Sequence, residues 1–457
     1  MMKETGLPEG PLVAWYGDDF TGAAAVMEAL AFSGLPALLF LEPPTPERLA
    51  RFPGLRGVGL ASTARTWSPE RMARELPPAF AALRALNPAI LHYKVCSTLD
   101  SAPGIGSIGK AMEIGADLCG SALVPVLIAA PQMRRYQFFG HLFAGAGAGV
   151  FRLDRHPVMA RHPVTPMDEA DVALHLSRQS GRIEAGCVTL EALAAADLRR
   201  PAREDGRIEA VTLDSVDAAS EAEAGRLIWE ARESAPFVVG SQGVEYALVR
   251  HWKAKGWLPE AAPAGGIGRA ARTFVVSGSV SPVTAAQIAW SGRNGFALIP
   301  FDAAAAAFGG AALEGEIDRV REAALAAIGA GRDPLIHTAN GPDDPAVARF
   351  REACARAGAE AEAVNRRVGE SLGALLAALL AEAGPARAVV SGGDTSGHAT
   401  GRLGLFALSA LAPTIPGAAI FRGHADGPMD GLEIALKGGQ MGAEDYFGDV
   451  REGGGKA

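Results

Sequence analysis

Short apolar runs alternate with longer alanine-rich stretches along most of the chain. In the first half, the runs that predict buried strands are Leu12–Tyr16, Ala37–Leu41, Ile90–Val95, Leu123–Ala129, Glu209–Leu213 and Phe237–Gly240. In the second half they are Phe274–Ser277, Phe296–Phe301, Leu335–Thr338, Ala388–Ser391, Ala418–Phe421 and Glu433–Lys437. The stretches between them, such as Ala23–Ser33 and Ser220–Ser234, are long enough for helices. This alternation predicts an α/β fold with largely parallel sheets flanked by helices.

One segment interrupts the alternation. Residues 259–268 read Pro-Glu-Ala-Ala-Pro-Ala-Gly-Gly-Ile-Gly, and this proline and glycine content is typical of a linker between domains. A chain of 457 residues is also too long for one ordinary core. We therefore predict two domains, residues 1–262 and 263–457. We expect the glycine-rich tail, residues 448–457, to be frayed.

The composition narrows the class of protein. A hydrophobic content of 49% with 21% charged residues is typical of a soluble globular protein. The net charge of −8 argues against a nucleic-acid partner. No apolar run approaches the roughly 20 residues of a membrane span, and the start of the chain shows no secretory signal. The chain has four cysteines, Cys96, Cys119, Cys187 and Cys354. None of them forms a Cys-x-x-Cys pair, which favours reduced thiols over a disulfide framework or a zinc site. We expect a cytoplasmic protein.

Two adjacent carboxylates follow the first predicted strand. Asp18 and Asp19 come directly after Gly17, at the end of a strand where open α/β sheets bind ligands. In the alternative interpretation, Asp19 or Thr21 caps the helix that starts near Gly22. Capping accounts for one acidic residue but not for two. We therefore interpret the pair as catalytic: one carboxylate accepts the proton of an attacking hydroxyl and the other holds a neighbouring hydroxyl.

Polar side chains also cluster after the strand Ile90–Val95. They combine a cation, hydroxyls and a carboxylate, namely Lys94, Ser97, Thr98 and Asp100. The segment Gly104–Gly109 then matches the Gly-x-Gly-x-x-Gly pattern of dinucleotide-binding turns, but the intervening polar loop favours a small-anion or polyol pocket. Further on, Arg134 and Arg135 are suited to binding a carboxylate, with a solvated basic turn as the equal alternative. The nearby histidines lack a zinc-binding spacing and are expected to be surface or supporting groups: His141, His156 and His162.

Two glycine-containing turns follow buried strands in the second half. One is Ser277-Gly278-Ser279, and the other is Ser391-Gly392-Gly393-Asp394-Thr395-Ser396. Both lead into a predicted helix, so they present unpaired backbone N–H groups and the positive end of a helix dipole. Two such turns on one sheet predict a polyphosphate site, and therefore nucleotide chemistry.

These segments, with others, resemble the four-carbon acid sugar kinases over nearly the whole chain. The similar segments are Asp18–Ala23, Tyr93–Thr98, His162–Met167, Ser277–Gln287, Ser391–Thr395 and Leu436–Gly442. The resemblance implies an amino-terminal sugar-acid domain and a carboxyl-terminal ATP domain that face each other across a cleft. It also implies ATP-dependent phosphorylation of small sugar acids such as threonate, erythronate or 3-oxo-tetronates.

The resemblance further implies which residues bind each substrate. The sugar acid would contact Asp18, Asp19, Thr21 and the loop from Lys94 to Asp100. The implied ATP contacts are Ser277, Gly278, Ser279, Gly392, Gly393, Asp394, Thr395, Lys437, Gly438 and Gly442. Mg²⁺ needs only one or two protein carboxylates. Asp394 is the candidate ligand, with capping of the helix after Thr395 as the equal alternative.

One loop departs from the family pattern. Where the family usually reads Asp-Ser-Thr-Leu-Arg-Gly-Asn, residues 96–102 of this chain read Cys-Ser-Thr-Leu-Asp-Ser-Ala, so Asp100 replaces an arginine. A substrate carboxylate would then need another partner: Lys94, Arg134 or Arg135. A branched or oxidised acid fits this departure better than threonate does, and the 3-oxo-isoapionate kinases resemble this family.

Two other functions stay open at this point. The lost arginine favours a non-catalytic sensor of nucleotide or sugar acid. The glycine pattern favours a dinucleotide-dependent oxidoreductase, although the acidic residue expected after the second strand is missing. The predicted partners are a sugar acid and ATP, with no nucleic acid and no membrane. The oligomeric state stays open, with a homodimer as one option.

Overall fold

The computed structural model describes residues 6–162, 164–199 and 205–455, without the side chain of Asp394. The chain divides into two compact units, Met1–Ala262 and Pro263–Ala457. Residues 259–268, between the last helix of the first unit and the first strand of the second, have no regular secondary structure.

The first unit is built on one parallel sheet. Its strands, with those of a smaller sheet, are β1 (Val13–Gly17), β2 (Ala37–Phe40), β3 (Gly57–Ala61), β4 (Ile90–Lys94), β5 (Leu123–Leu127), β6 (Arg135–Phe138), β7 (His141–Ala146), β8 (Gly149–Arg152), β9 (Ile183–Val188), β10 (Ile208–Leu213) and β11 (Phe237–Gly240). The main sheet has the order β2-β3-β1-β4-β11-β5-β10-β9, and β6, β7 and β8 form a separate antiparallel sheet. The carboxyl ends of β1 and β4 lie side by side, because Gly17 pairs with Lys94.

Helices connect the strands of the first unit. They are α1 (Phe20–Ala31), α2 (Pro46–Ala50), α3 (Pro69–Arg84), α4 (Ile108–Cys119), α5 (Val172–Ser177), α6 (Ala218–Ala231) and α7 (Gly243–Ala254). Side-chain caps fix several of their starts: Asp19, Ser68 and Ser107 accept backbone N–H groups in the first turns of α1, α3 and α4. The strands β1, β4 and β5 are buried along their whole length, as expected for a parallel sheet covered on both faces.

The second unit has its own sheet. Its strands are β12 (Thr273–Ser277), β13 (Phe296–Pro300), β14 (Asp333–His337), β15 (Arg387–Ser391), β16 (Leu405–Ala412), β17 (Ile420–Ala425) and β18 (Glu433–Lys437). The order is β13-β14-β12-β15-β18-β17-β16, parallel as far as β18, while β17 runs antiparallel to both β18 and β16. Its helices are α8 (Pro282–Arg293), α9 (Ala305–Phe308), α10 (Gly310–Gly329), α11 (Pro345–Ala357), α12 (Ala361–Ala383), α13 (Gly393–Arg402) and α14 (Tyr446–Glu452).

The predicted α/β class is confirmed, since the sheets are mostly parallel and flanked by helices. Two strands of the main sheet of the first unit were not predicted, β9 and β3. β9 lies at the edge of the sheet and is mostly half-buried, so its apolar signal is weak. β3 reads Gly-Val-Gly-Leu-Ala, and its glycines weaken the apolar signal. They are needed because Trp15 packs across this strand: a Cβ at Gly59 would lie 2.1 Å from the Trp15 ring.

The prediction of a frayed tail is wrong for residues 448–455. α14 buries Phe447 and Val450 in the core of the second unit. Beyond this helix, the backbone N–H of Gly455 donates to the carbonyl of Pro413 at 2.7 Å. The carbonyl of Gly453 accepts from the N–H of Ile267 at 3.0 Å. The end of the described chain is therefore hydrogen-bonded beside the start of this unit; residues 456 and 457 lie outside the described part.

Candidate functional site

The two carboxylates predicted to be catalytic lie at the end of β1. Asp19 caps α1, accepting the backbone N–H of Gly22 at 3.1 Å through Oδ1. The same oxygen lies 3.7 Å from Nζ of Lys94, which is buried at the end of β4. The capping interpretation therefore holds for Asp19, but the carboxylate also belongs to a charged cluster. Thr21 lies half-buried in the first turn of the same helix.

Arg65 completes this cluster, and the sequence analysis did not single it out. Its Nε and Nη2 donate to the two oxygens of Asp18 at 3.2 and 2.9 Å, a bidentate pair. Nη2 also lies 2.8 Å from Oδ1 of Asp19. Arg65 follows β3, which pairs with β1. Because β3 was not predicted, the sequence offered no reason to place Arg65 at this edge.

The surroundings separate the acidities of the two carboxyl groups. Burial raises the pKa of Asp18 to about 6, against the lowering effect of Arg65. Burial also acts on Asp19, but Arg65 and Lys94 together outweigh it and lower the pKa of Asp19 below its ordinary value. The side chain of Asp18 is 4% exposed and that of Asp19 is 28% exposed. Asp19 is thus the ionised carboxylate that a ligand can reach.

The loop after β4 lies beside this cluster. Oδ2 of Asp100 is 3.8 Å from Nη1 of Arg65, and Oδ1 accepts the hydroxyl of Thr165. Nδ1 of His162 accepts the backbone N–H of Thr165 at 3.1 Å and lies 3.7 Å from Asp100. His162, expected to be a surface or supporting group, therefore supports the segment that holds Asp100. Pro163, within one of the family-like segments, lies outside the described residues.

Other residues of this loop hold it in shape. The hydroxyl of Thr98 lies 3.1 Å from the thiol of Cys96, and Ser97 is half-buried beside them. Leu99 is fully buried at a positive φ of 54°. The hydroxyl of Ser101 lies 3.0 Å from Nε2 of His175 and bonds to the carbonyl of Leu99. Such contacts are needed because a non-glycine residue at positive φ is strained.

Two of the three glycines of the Gly-x-Gly-x-x-Gly match, Gly106 and Gly109, allow close packing. A Cβ at Gly106 would lie 2.3 Å from the carbonyl oxygen of Arg65, and one at Gly109 would lie 2.7 Å from the Gln179 side chain. The strand ends at Lys94 and the helix begins only at Ile108. This long connection differs from the tight strand-to-helix turn of a dinucleotide site.

The two neighbouring arginines differ in their contacts. Both terminal nitrogens of Arg134 donate to backbone carbonyls, those of Gly147 at 2.6 Å and Gly149 at 2.7 Å. Arg135 donates through Nη1 to the carbonyl of Met133 at 3.0 Å, whereas its Nε is buried without a hydrogen-bond partner in the described structure. Burial lowers the pKa of Arg135, and the nearby Cys96 thiol opposes that effect.

In the second unit, three strand ends align at one edge of the sheet. Ser277 of β12 pairs with Ser391 of β15, which pairs with Lys437 of β18. The turns that follow are joined by backbone hydrogen bonds: the N–H of Gly278 donates to Ser391 at 3.1 Å, and that of Gly392 donates to Lys437 at 2.9 Å. The three predicted nucleotide-binding segments are thus neighbours.

Glycine is required where these turns meet. A Cβ at Gly278 would lie 2.2 Å from the hydroxyl oxygen of Thr395, and one at Gly439 would lie 2.4 Å from that of Ser279. The loop after β18 is held by α8, because Thr284 bonds to the carbonyl of Gly439 at 2.9 Å. Both α8 and α13 start at this edge, so their N-termini face the same region as the turns.

Lys437 is a buried cation in this loop. Its Nζ donates to the carbonyl of Gly438 at 3.0 Å and lies 3.4 Å from the hydroxyl of Thr284. It pairs with no carboxylate in the part of the chain that the structure describes. Burial lowers the pKa of its amine to about 7. A buried cation without a counter-ion, beside glycine turns and helix N-termini, fits a polyphosphate.

The predicted metal ligand stays a prediction. The side chain of Asp394 lies outside the described part of the structure, so the capping alternative is equally open. Among the residues described, no group of three or more His, Cys, Asp or Glu residues could hold a metal ion. In the same part of the chain, no helix is long and apolar enough to cross a membrane.

The fold and the two clusters define a class of protein. It is a two-unit α/β protein with charged side chains grouped at strand ends in one unit, and with glycine turns beside a buried lysine at strand ends in the other. Residues 13–248 match the family model for a sugar-binding N-terminal domain, and residues 274–447 match that for a nucleotide-binding C-terminal domain. The chain belongs to the family that joins these two domains. The resemblance to four-carbon acid sugar kinases is thereby confirmed.

Curated relatives align over nearly the full length. The chain is 45% identical over 455 residues to a 3-oxo-isoapionate kinase of Paraburkholderia graminis, covering 98% of this chain and 96% of that protein. It is 30% identical over 455 residues to a 3-oxo-tetronate kinase of Cupriavidus necator, covering 97% of each.

Solved structures share the fold. A protein from Salmonella typhimurium LT2 has a TM-score of 0.74 at 23% identity, covering 96% of this chain and 98% of its own. A Haemophilus influenzae protein of the family DUF1537 has a TM-score of 0.67 at 22% identity, covering 95% and 98%. At this level of identity the likeness shows the fold alone.

Proposed function

We propose that this protein is an ATP-dependent kinase that phosphorylates a hydroxyl of a small sugar acid. A sugar acid kinase function follows from full-length similarity to kinases of 3-oxo-isoapionate and 3-oxo-tetronates. The finer choice is a branched 3-oxo acid such as 3-oxo-isoapionate, because the 45% identical relative carries that name. In this proposal, residues 1–262 bind the sugar acid and residues 263–457 bind the nucleotide.

The observation that best supports a nucleotide site is that Ser277, Ser391 and Lys437 lie side by side at the ends of three adjacent strands. ATP would supply the phosphoryl group. The turns Ser277–Ser279 and Gly392–Thr395 would bind its phosphates through backbone N–H groups, and Lys437 would contribute the positive charge. Ser391 supports this assignment, because its buried hydroxyl oxygen has no hydrogen-bond partner among the described residues. Mg²⁺, with Asp394 as its proposed ligand, would neutralise phosphate charge.

Asp19 is the proposed base for the attacking hydroxyl. The N–H groups of Gly22 and Arg65 contact its Oδ1, and the Lys94 ammonium lies 3.7 Å from the same oxygen. We infer that Oδ2 orients the substrate hydroxyl and accepts its proton. Asp18 is less suited, because Arg65 holds both of its oxygens and its side chain is only 4% exposed. Asp18 and Arg65 would instead fix Asp19 in position, since phosphoryl transfer depends mainly on positioning and charge neutralisation.

A coupled assay of ADP release with Mg·ATP tests this function. The panel contains 3-oxo-isoapionate, 3-oxo-tetronates, threonate and erythronate. We expect turnover to be fastest with the branched 3-oxo acid and absent without any acid. If no acid stimulates ADP release while ATP still binds, the kinase proposal fails and a sensor becomes the better interpretation.

A further inference from the structure

The carboxylate of a sugar acid needs a cation, and the first unit offers four near the site. Three of them already contact carboxylates or backbone carbonyls of the protein. Arg65 is paired with Asp18 and Asp19, and Lys94 lies beside Asp19. Both terminal nitrogens of Arg134 donate to backbone carbonyls of the β7–β8 hairpin.

Only one nitrogen of the Arg135 guanidinium makes hydrogen bonds to the described residues. All three of its hydrogen bonds leave from Nη1 and go to backbone carbonyls, those of Met133, Arg134 and Gly145. Its Nε is buried and has no partner, and its Nη2 makes no hydrogen bond within the described residues. The edge formed by Nε and Nη2 is therefore unpaired among the described residues. A buried N–H donor of a cation that lacks an acceptor raises the free energy of the folded protein. A ligand that accepts hydrogen bonds from this edge would lower it.

The same edge of another arginine in this unit binds a carboxylate. Nε and Nη2 of Arg65 hold the two oxygens of Asp18 at 3.2 and 2.9 Å. Cys96, in the loop after β4, interacts electrostatically with both Arg65 and Arg135. Arg135 therefore lies near this loop, and its unpaired edge carries the two N–H donors that suit a carboxylate.

We propose that the Nε and Nη2 edge of Arg135 binds the substrate carboxylate, as Arg65 binds Asp18. This inference rests on the proposed kinase function and adds the orientation of its substrate. The acid group lies at Arg135 and the hydroxyl to be phosphorylated lies at Asp19. The substrate class is then an ionised acid, and a neutral polyol or amide of the same length is selected against.

Arg135→Gln tests the proposal, with Arg155→Gln as matched control. Arg155 is an exposed arginine of the same unit, so its variant makes the same change of charge away from the site. The probes are the acid of highest turnover in the panel, or erythronate if none turns over, and the corresponding primary amide. For Arg135→Gln we expect KM, or the dissociation constant, for the acid to rise by about 10–100-fold, while the value for the amide and the affinity for ATP stay unchanged. Arg135→Lys should recover only part of the loss, because lysine cannot form the fork.

The outcomes separate this inference from the kinase proposal. If the wild type phosphorylates an acid and Arg135→Gln keeps its preference for acid over amide, Arg135 is not the receptor and the kinase function stands. If no acid turns over but erythronate binds and Arg135→Gln abolishes the binding, the receptor stands without the kinase. A folded wild-type protein that binds neither probe overturns both. A circular dichroism spectrum and melting temperature like those of the wild type would show that the variant is folded.

Discussion

Lys437 should take up a proton when nucleotide binds. Its amine is fully buried, and burial lowers its pKa to about 7 because no carboxylate of the described structure compensates the charge. A polyphosphate beside Nζ would supply that compensation and return the pKa towards the ordinary value of about 10.4. At pH 8 the free amine is then only about one tenth protonated, so binding should draw in about 0.9 proton; at pH 6 it should draw in about 0.1.

Calorimetry measures this uptake directly. Mg·ADP is titrated at pH 8 in buffers of different ionisation enthalpy, and the slope of the binding enthalpy against that quantity gives the number of protons. In Lys437→Met we expect the slope to fall to near zero and the affinity to drop, while Lys255→Met, an exposed lysine of the first unit, keeps both. We expect Lys437→Met to remain folded, because methionine keeps the apolar contact without a buried charge.

Nucleotide affinity should fall as the pH rises above 7. Above pH 7 each bound nucleotide must bring a proton, so the dissociation constant should rise by up to about tenfold per pH unit between pH 7 and the pKa of the complex. Below pH 7 the amine is already charged, and the affinity should depend little on this group. A wild-type slope near zero at pH 8, or the same slope in Lys437→Met, would show that Lys437 does not contact the phosphates.

Three further perturbations test other parts of the structure. Asp19→Asn should lower kcat by about 10²–10⁴-fold in the coupled assay while the calorimetric affinity for ATP is kept; an unchanged kcat would exclude Asp19 as the base. Gly278→Ala should abolish nucleotide binding, because its Cβ would lie 2.2 Å from Thr395, whereas Gly315→Ala, in open space, should not. Arg387→Met should lower the free energy of unfolding by about 3 kcal/mol in urea titrations. The reason is that buried Arg387 bonds to Glu433 and to the carbonyl of Val450. A loss below about 1 kcal/mol would show that these bonds contribute little to stability.

The pattern of the sequence predicts the sheets well for a physical reason. Strands such as Phe237–Gly240 and Leu123–Leu127 are buried on both faces, so they form continuous apolar runs. The pattern misses β3 because this strand needs glycine opposite Trp15, and glycine adds little to an apolar run. The pattern also misses the small antiparallel sheet, because β6 and β8 are only partly buried and carry no continuous apolar run.

The candidate site was only partly predictable. Strand ends and glycine turns are local features, so Asp18, Asp19 and the turn at Gly278 could be found from the sequence alone. Arg65 could not, since its place depends on a strand that the pattern missed. The choice between Lys94, Arg134 and Arg135 as carboxylate partner also needed the structure, because it depends on which donors are already used. The roles of all these residues stay predictions.

The hydrogen bonds between residues 267–270 and 451–455 also make the second unit a candidate for circular permutation. The N–H of Ile267 bonds to Gly453 at 3.0 Å and that of Ala270 bonds to Arg451 at 2.9 Å, so the two ends of this unit run side by side. A short peptide could join them, and new ends could be opened in an exposed loop, without breaking the sheet. The same proximity places the first and last described residues of this unit beside each other. A gene segment encoding it could thus be inserted into, or lost from, another protein as a single module.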